Sequence, residues 1–163
     1  MPATRDELFQ RLSELGIETE STNHAPVYTV EEARALRGNI PGGHCKNLFL
    51  KDKKGQLWLV VTLEDADVDL KALPRVIGAA RLSFGKADLL LEVLGVEPGS
   101  VTPFALINDT DIRVNVVLDE TMMRAGRLNF HPLKNDATTT INAADLVAFI
   151  RSCGHDPAIV SVG

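Results

Sequence analysis

Gly42-Gly43-His44-Cys45-Lys46-Asn47-Leu48-Phe49-Leu50-Lys51-Asp52 is the stretch on which the reading of this 163-residue chain turns. Two glycines free the backbone, and a lysine follows at the mouth of an apolar run. Phe49, with Leu48 or Leu50, can plug that run into a core, which leaves Lys46 and its polar neighbours at a strand's edge. After Lys53-Lys54-Gly55, residues 57–63 (LWLVVTL) form a second apolar run, so 46–52 and 57–63 read as a hairpin. A second polar point, Asn129-Phe130-His131-Pro132, closes another strand-like run far away in sequence. A lysine and a histidine, each at the rim of a core strand, can form one site.

Working outward, Thr4-Arg5-Asp6-Glu7 has the form of a capping box, and Leu8, Leu12 and Leu15 follow at helical spacing up to Gly16. Residues 17–22 read as a short strand and His24-Ala25-Pro26 as a break. A second helix is expected from Thr29 to Arg37, then a glycine-rich loop over 38–43. Further helices are expected over Asp69–Ile77, with Pro74 as a weak point, over Lys86–Leu94, closed by Gly95, and from Asn142 to Cys153. Strands are expected at 103–108, 112–119, 127–130 and 136–141, with an edge strand at 158–162. Hairpin spacings mixed with helices indicate an α/β (α+β) fold with a mixed, largely antiparallel sheet. The length fits one domain over 1–163.

Hydrophobic residues make up 45% of the chain and charged ones 24%, as in an ordinary globular domain. A chain of this size buries roughly 70% of its unfolded surface, enough to fold without disulfides or a structural metal. Its two cysteines, Cys45 and Cys153, form no CxxC, which points to a reducing cytosol. The first residues are too polar for a signal peptide, and no apolar run approaches a membrane span. The net charge of −5 argues against a general nucleic-acid coat. Residues 46–86, however, carry eight Lys/Arg against five Asp/Glu, a local excess of +3. Such a sector can face a phosphate backbone, although a solvated mixed-charge surface has the same composition.

Each candidate residue has a plain alternative. Lys46 can stabilise negative charge developing on a carbonyl oxygen, or it can be an exposed lysine at a strand start. His131 can act in a site or simply hydrogen-bond the local backbone before Pro132. The glycines of 95–103 (GVEPGSVTP) can turn amides toward an oxyanion, or merely make a surface turn. His44 and Cys45, adjacent on a strand, point to opposite faces, and no histidine has a partner at metal-ligand spacing, so no metal site is expected. Walker, GxGxxG, HExxH and GxSxG motifs are absent, which disfavours the common nucleotide-binding and hydrolase classes.

Five segments taken together resemble the free-standing relatives of the bacterial prolyl-tRNA synthetase editing domain: residues 24–33 (HAPVYTVEEA), 46–52 (KNLFLKD), 81–84 (RLSF), 99–103 (GSVTP) and 129–132 (NFHP). They occur in the family's order and span the chain. Among its members, the alanyl-tRNA(Pro) deacylases are the most similar. The resemblance implies a barrel-like mixed sheet flanked by helices, hydrolysis of an aminoacyl ester, and no metal or organic cofactor. It implies catalytic roles for Lys46, Gly99 of a GxxxP loop and His131, with Phe130 standing where many relatives have glycine. Asn47, Pro103 and Tyr28 would contact the aminoacyl end of the substrate. Lys51 and Arg81 would hold the tRNA(Pro) acceptor stem. The implied setting is cytoplasmic, the implied form a monomer without membrane or DNA contacts, and prolyl-tRNA synthetase is a candidate partner. A deacylase for another small residue, such as cysteine on tRNA(Pro), and a non-catalytic tRNA-binding module of the same fold are the competing readings.

Overall fold

The computed structural model describes residues 2–25 and 40–162. Helix α1 (Arg5–Glu14) leads to strand β1 (Glu20–Asn23), and the long strand β2 (Gly43–Asp52) turns tightly into β3 (Leu57–Leu63). Helix α2 (Leu73–Ile77), strand β4 (Leu82–Phe84) and helix α3 (Ala87–Leu94) follow. Two 3-10 turns, Pro98–Ser100 and Pro103–Asn108, lead to β5 (Val114–Asp119) and the short α4 (Glu120–Met123). The chain continues through β6 (Arg127–Phe130), β7 (Ala137–Asn142), α5 (Ala143–Ser152) and β8 (Ala158–Val160). One mixed eight-stranded sheet results, in the order β1-β7-β6-β2-β3-β5-β8, with β4 added to β2. The β1–β7, β6–β7, β2–β3 and β2–β4 pairs are antiparallel, and β2–β6, β3–β5 and β5–β8 are parallel.

Alternation along β2 feeds two apolar clusters, one on each face of the sheet. Phe49 and Cys45 pack into the larger cluster with Leu59, Val61, Val116 and Leu118, beneath α1, α3 and α5. Leu48 and Leu50 pack into the smaller one with Val60, Val117 and Leu73 of α2. With both faces covered, β3 reads as a nearly continuous apolar run, as buried strands do. In the larger cluster Phe104 meets Phe130 and Phe149 edge-to-face, with centroids 6.0 and 5.5 Å apart. Such pairs add about 0.5–1.5 kcal/mol each beyond area burial. They pin the second 3-10 turn between β6 and α5.

That turn corrects the strand expected at 103–108. Pro103 fixes φ at the first position, and the Thr102 hydroxyl accepts from the Phe104 amide at 3.3 Å, which together begin a helical turn. A six-residue apolar run is compatible with either state. The helix expected from Asp69 begins only at Leu73, because Pro74 suits a first turn and not a helix interior. Strand β4 and helix α4 are short elements without a periodic signal, and they were not foreseen. The capping box at Thr4–Glu7 is present. The helix expected over 29–37 lies outside the described residues. Gly85 marks a close approach: a Cβ there would come within 2.3 Å of the Phe49 ring.

The β2–β3 turn is organised by one buried carboxylate. Asp52 Oδ1 accepts from the Lys54 and Gln56 amides at 2.9 and 3.0 Å, and Oδ2 accepts from Trp58 Nε1 and the Ala80 amide at 3.2 and 3.3 Å. Burial alone would raise its pKa, but the donors at Gln56, Trp58, Ala80 and Lys54 outweigh that and hold it below the usual carboxylate value. Because the folded pKa is lowered, this stabilisation is fully present above the unfolded value and is lost as pH falls through the folded one. Asp52→Asn removes the charge and turns one acceptor into a donor. It should cost about 1–3 kcal/mol at pH 7 and lose much of that cost as pH falls through the lowered folded value, read by urea unfolding across pH.

Candidate active site and basic cleft

Strand β2 changes partner on one edge. Gly43 and His44 pair with Leu128 and Asn129 of β6, whereas Leu50, Lys51 and Asp52 pair with Phe84, Ser83 and Leu82 of β4. Among the described residues, no strand pairs with Cys45–Phe49 on that edge, so the sheet opens beside Lys46 and Asn47. Parallel register sets His44 opposite Asn129. Continued two residues along each chain, it sets Lys46 level with His131, where the strands have parted. The Lys46 ammonium is half-buried and donates to the Ala66 carbonyl at 2.5 Å. Behind it on the same face lies Thr62, whose hydroxyl donates to buried Asp119 at 3.0 Å.

His131 stands just past β6, and its ring is fixed by β7. Nδ1 donates to the Ala137 carbonyl at 2.9 Å, which leaves Nε2 as the acceptor of the neutral ring. Burial lowers its pKa; the Ala137 carbonyl opposes this, His24 adds to the lowering, and Asp136 also opposes it. His24 packs edge-on against His131, with ring centroids 6.2 Å apart, and its Nε2 bonds the Thr138 hydroxyl at 2.9 Å. Asn129 ties the two sides of the opening together. Its Nδ2 donates to the Pro41 and Gly43 carbonyls at 3.0 and 3.2 Å, and its Oδ1 accepts from Thr140.

Asn47 projects to the face opposite Lys46. Its Oδ1 is buried and has no hydrogen-bond partner among the described residues. Gly99 lies exposed on the first 3-10 turn, and a Cβ on it would come 3.4 Å from Asn135 Nδ2. The 99–103 loop therefore meets the connection that follows His131. Pro103 is buried at the start of the second turn and shapes that loop from beneath. Tyr28 lies outside the described residues. The Cys45 thiol, pushed up to about 12 by burial, is no nucleophile at neutral pH.

Lys51 and Arg81 lie at the far end of β2, both exposed. Lys51 pairs with Ser83, and the Lys53 amide donates to the Arg81 carbonyl at 3.0 Å, so the two cations sit on adjoining chains. Beside them runs a cleft of about 650 Å³ lined by Leu70, Lys71, Pro74, Arg75, Arg81 and Leu82, with three cations and no acid. Exposed Phe84 stands on β4, the strand that begins with Leu82. The sequence signalled the basic excess of this sector but not the cleft. It also gave no role to His24 or Asn129; a histidine before Ala-Pro and an asparagine ending a strand are too common to stand out. Among the described residues, no three His, Cys, Asp or Glu are grouped to hold a metal ion, and no helix is long and apolar enough to cross a membrane.

A half-buried lysine and a neutral histidine, brought level by strand register at the rim of an opened sheet, are compatible with chemistry on an activated acyl group. The chain matches the aminoacyl-tRNA editing domain over residues 24–149 and belongs to that family of aminoacyl-tRNA deacylases. Similar proteins include the prolyl-tRNA synthetase associated domain-containing protein 1 of Danio rerio, 42% identical over 96% of this chain and 86% of the relative. The prolyl-tRNA editing protein ProX of Acetoanaerobium sticklandii is 36% identical over 91% of each chain. A crystal structure provisionally described as a trans-editing enzyme for prolyl tRNA synthetase superposes with TM-score 0.72 over 100% of both chains at 19% identity, which shows a shared fold.

His131 should titrate below 6.5, the ordinary histidine value, and be a neutral Nδ1–H ring at pH 7. Nitrogen-15 NMR of the imidazole reports both properties. A midpoint above 6.5, or an Nε2–H ring, would contradict this geometry.

Proposed function

We propose that residues 1–163 act as one trans-editing domain that hydrolyses alanine from mischarged tRNA(Pro). The observation that supports this reading is the opening beside β2, with Lys46 at its edge and His131 level with it across the parted strands. At the open edge, where a substrate can reach both faces of β2, the Asn47 oxygen, unpartnered among the described residues, suits the α-ammonium of an aminoacyl group, since a buried acceptor gains most from a charged donor. Lys46 and amides of the Gly99 loop stabilise the oxyanion formed when water attacks the ester carbonyl. His131 Nε2 accepts from the terminal ribose hydroxyl, which orients the water. As the tetrahedral species collapses, the ester C–O bond breaks, the ribose oxygen takes up a proton, and free alanine and tRNA(Pro) leave.

Selectivity in such a site is a matter of size. A pocket fitted to alanine excludes the proline ring by clash, while rejection of glycine relies on about 1–3 kcal/mol per methylene. The setting proposed is the cytosol, the active form a monomer, and prolyl-tRNA synthetase the partner that releases the substrate. Turnover of Ala-, Gly-, Cys- and Pro-tRNA(Pro) tests the assignment, with alanine expected fastest and proline untouched. Folded Lys46→Ala should lose about 100- to 1000-fold in rate. Near-normal turnover by that variant would overturn the role of the lysine, and faster cysteine turnover would overturn the choice of alanine.

The basic cleft is proposed to hold the acceptor stem. Lys46 and Lys51 are five residues apart on one strand, a span of about 17 Å, so the stem would rest at one end of β2 while its 3′ end reaches the opening at the other. Lys51→Ala and Arg81→Ala should each weaken tRNA binding and flatten its dependence on salt, because fewer counterions are released. Hydrolysis of a minimal aminoacyl ester should be unchanged. Superimposable salt curves for the wild type and both variants would remove this face from the reading.

A further inference from the structure

The connection that carries His131 is bound from outside the sheet by a residue near the start of the chain. Arg5 opens α1, whose first turn is fixed by reciprocal bonds between Thr4 and Glu7 of 3.0 and 3.2 Å. From that position Arg5 Nε donates to the Pro132 carbonyl at 3.3 Å, and Nη2 pairs with the Asp136 carboxylate. One guanidinium thus spans both ends of the 132–136 connection. Asp136 also accepts the His24 amide on its main-chain carbonyl at 2.9 Å, and the carbonyl of the next residue, Ala137, fixes the His131 ring.

This connection has reason to need such a hold. Leu133 sits at φ +76°, outside the usual range of a branched residue, and its amide returns to the His131 carbonyl at 2.9 Å. Strain of this kind costs on the order of 1–3 kcal/mol and persists only where the surroundings enforce it. Leu133 itself is buried in the larger apolar cluster, but on the side of α1 a cleft of about 390 Å³ lies between Pro2, Ala3 and Arg5 and the Pro132–Leu133–Asp136 segment, which leaves the bonds from Arg5 to hold the backbone there. Arg5 and Asp136 are 30% and 44% exposed, so the ion pair contributes little to global stability. Its fork geometry, which a lysine cannot reproduce, is what joins the two anchor points. Arg5 also holds the Asp136 carboxyl below its usual range, so the pair stays charged at neutral pH.

We infer that Arg5, through Asp136 and Pro132, is a positioning residue that sets the orientation of His131 and of the adjoining His24 backbone. The inference rests on the reading of His131 as a site residue. Arg5→Met keeps the length of the side chain without its donors, and Asp136→Asn is isosteric. Each should lower kcat on Ala-tRNA(Pro) about 10- to 100-fold, the scale of a misplaced group, with KM within twofold and the melting temperature little changed. The double variant should be no slower than the slower single one, because both break the same linkage. Arg5→Lys should recover only part of the rate. In NMR of the free protein, the single Nδ1–H state of His131 should give way to a mixture of tautomers in Arg5→Met. An unchanged tautomer and unchanged kcat in the folded variants would overturn the inference, as would multiplicative losses in the double variant. If the wild type deacylates no tRNA yet the tautomer responds to Arg5→Met, the clasp stands and the functional reading fails.

Discussion

The hydrogen bonds that β2 makes along one edge organise the rest of the molecule. A strand that kept one neighbour along its whole length would leave no room for chemistry. Here the edge passes from β6, running parallel, to β4, running antiparallel, and a few residues between them go without a strand partner. The unbroken β2–β3 ladder on the other edge, from Cys45 to Lys51, keeps the strand straight through this gap. Closed on one side and open on the other, β2 leaves Lys46 and Asn47 only partly buried while Phe49 and Leu50 are buried further along the strand.

The opening is held mostly by neutral groups. Asn129 alone bonds Pro41, Gly43 and Thr140, and the two histidines are oriented by carbonyls and a hydroxyl. Neutral bonds of this sort contribute only about 1 kcal/mol each, but a buried group left unmatched costs more, so they specify geometry better than they add stability. The carboxylates Asp52 and Asp109 do their bonding elsewhere in the fold, in turns and caps, whereas Asp119 caps α4 and also accepts from Thr62 beneath Lys46. Asp109 is paired with buried His155 at 2.9 Å beneath the start of β5.

Much of the fold was legible because local and global preferences agree. The β3 run 57–63 could be placed to the residue because it is apolar, short and bounded by turn residues, and β6 at 127–130 because Leu128 and Phe130 alternate with polar Arg127 and Asn129 after Gly126. The capping box fixed the start of α1 for the same reason. What could not be read was tertiary in origin. Residues 103–108 are apolar enough for a strand, and only Pro103 and the stacking of Phe104 between Phe130 and Phe149 select a 3-10 turn. Lys46, Asn47, Gly99 and His131 were visible as motif positions, whereas their support was not. Arg5 and Asp136 are separated by 131 residues, and neither carries a local mark.

The alternation of β2 between two interiors sets a rule for how this sequence can change. Each odd position from 45 to 49 belongs to one interior and each even position from 46 to 50 to the other. Substitution at a single position is judged by its own surroundings. Insertion or deletion of one residue inside the strand is a shift of phase: it would send Lys46 into the space of Cys45 or Asn47 and turn Phe49 out of its interior. Drift in this lineage should therefore accumulate as replacements along β2 and as length changes only past its ends, at the Lys53–Gly55 turn. The strand behaves as text that tolerates respelling but not a change of frame.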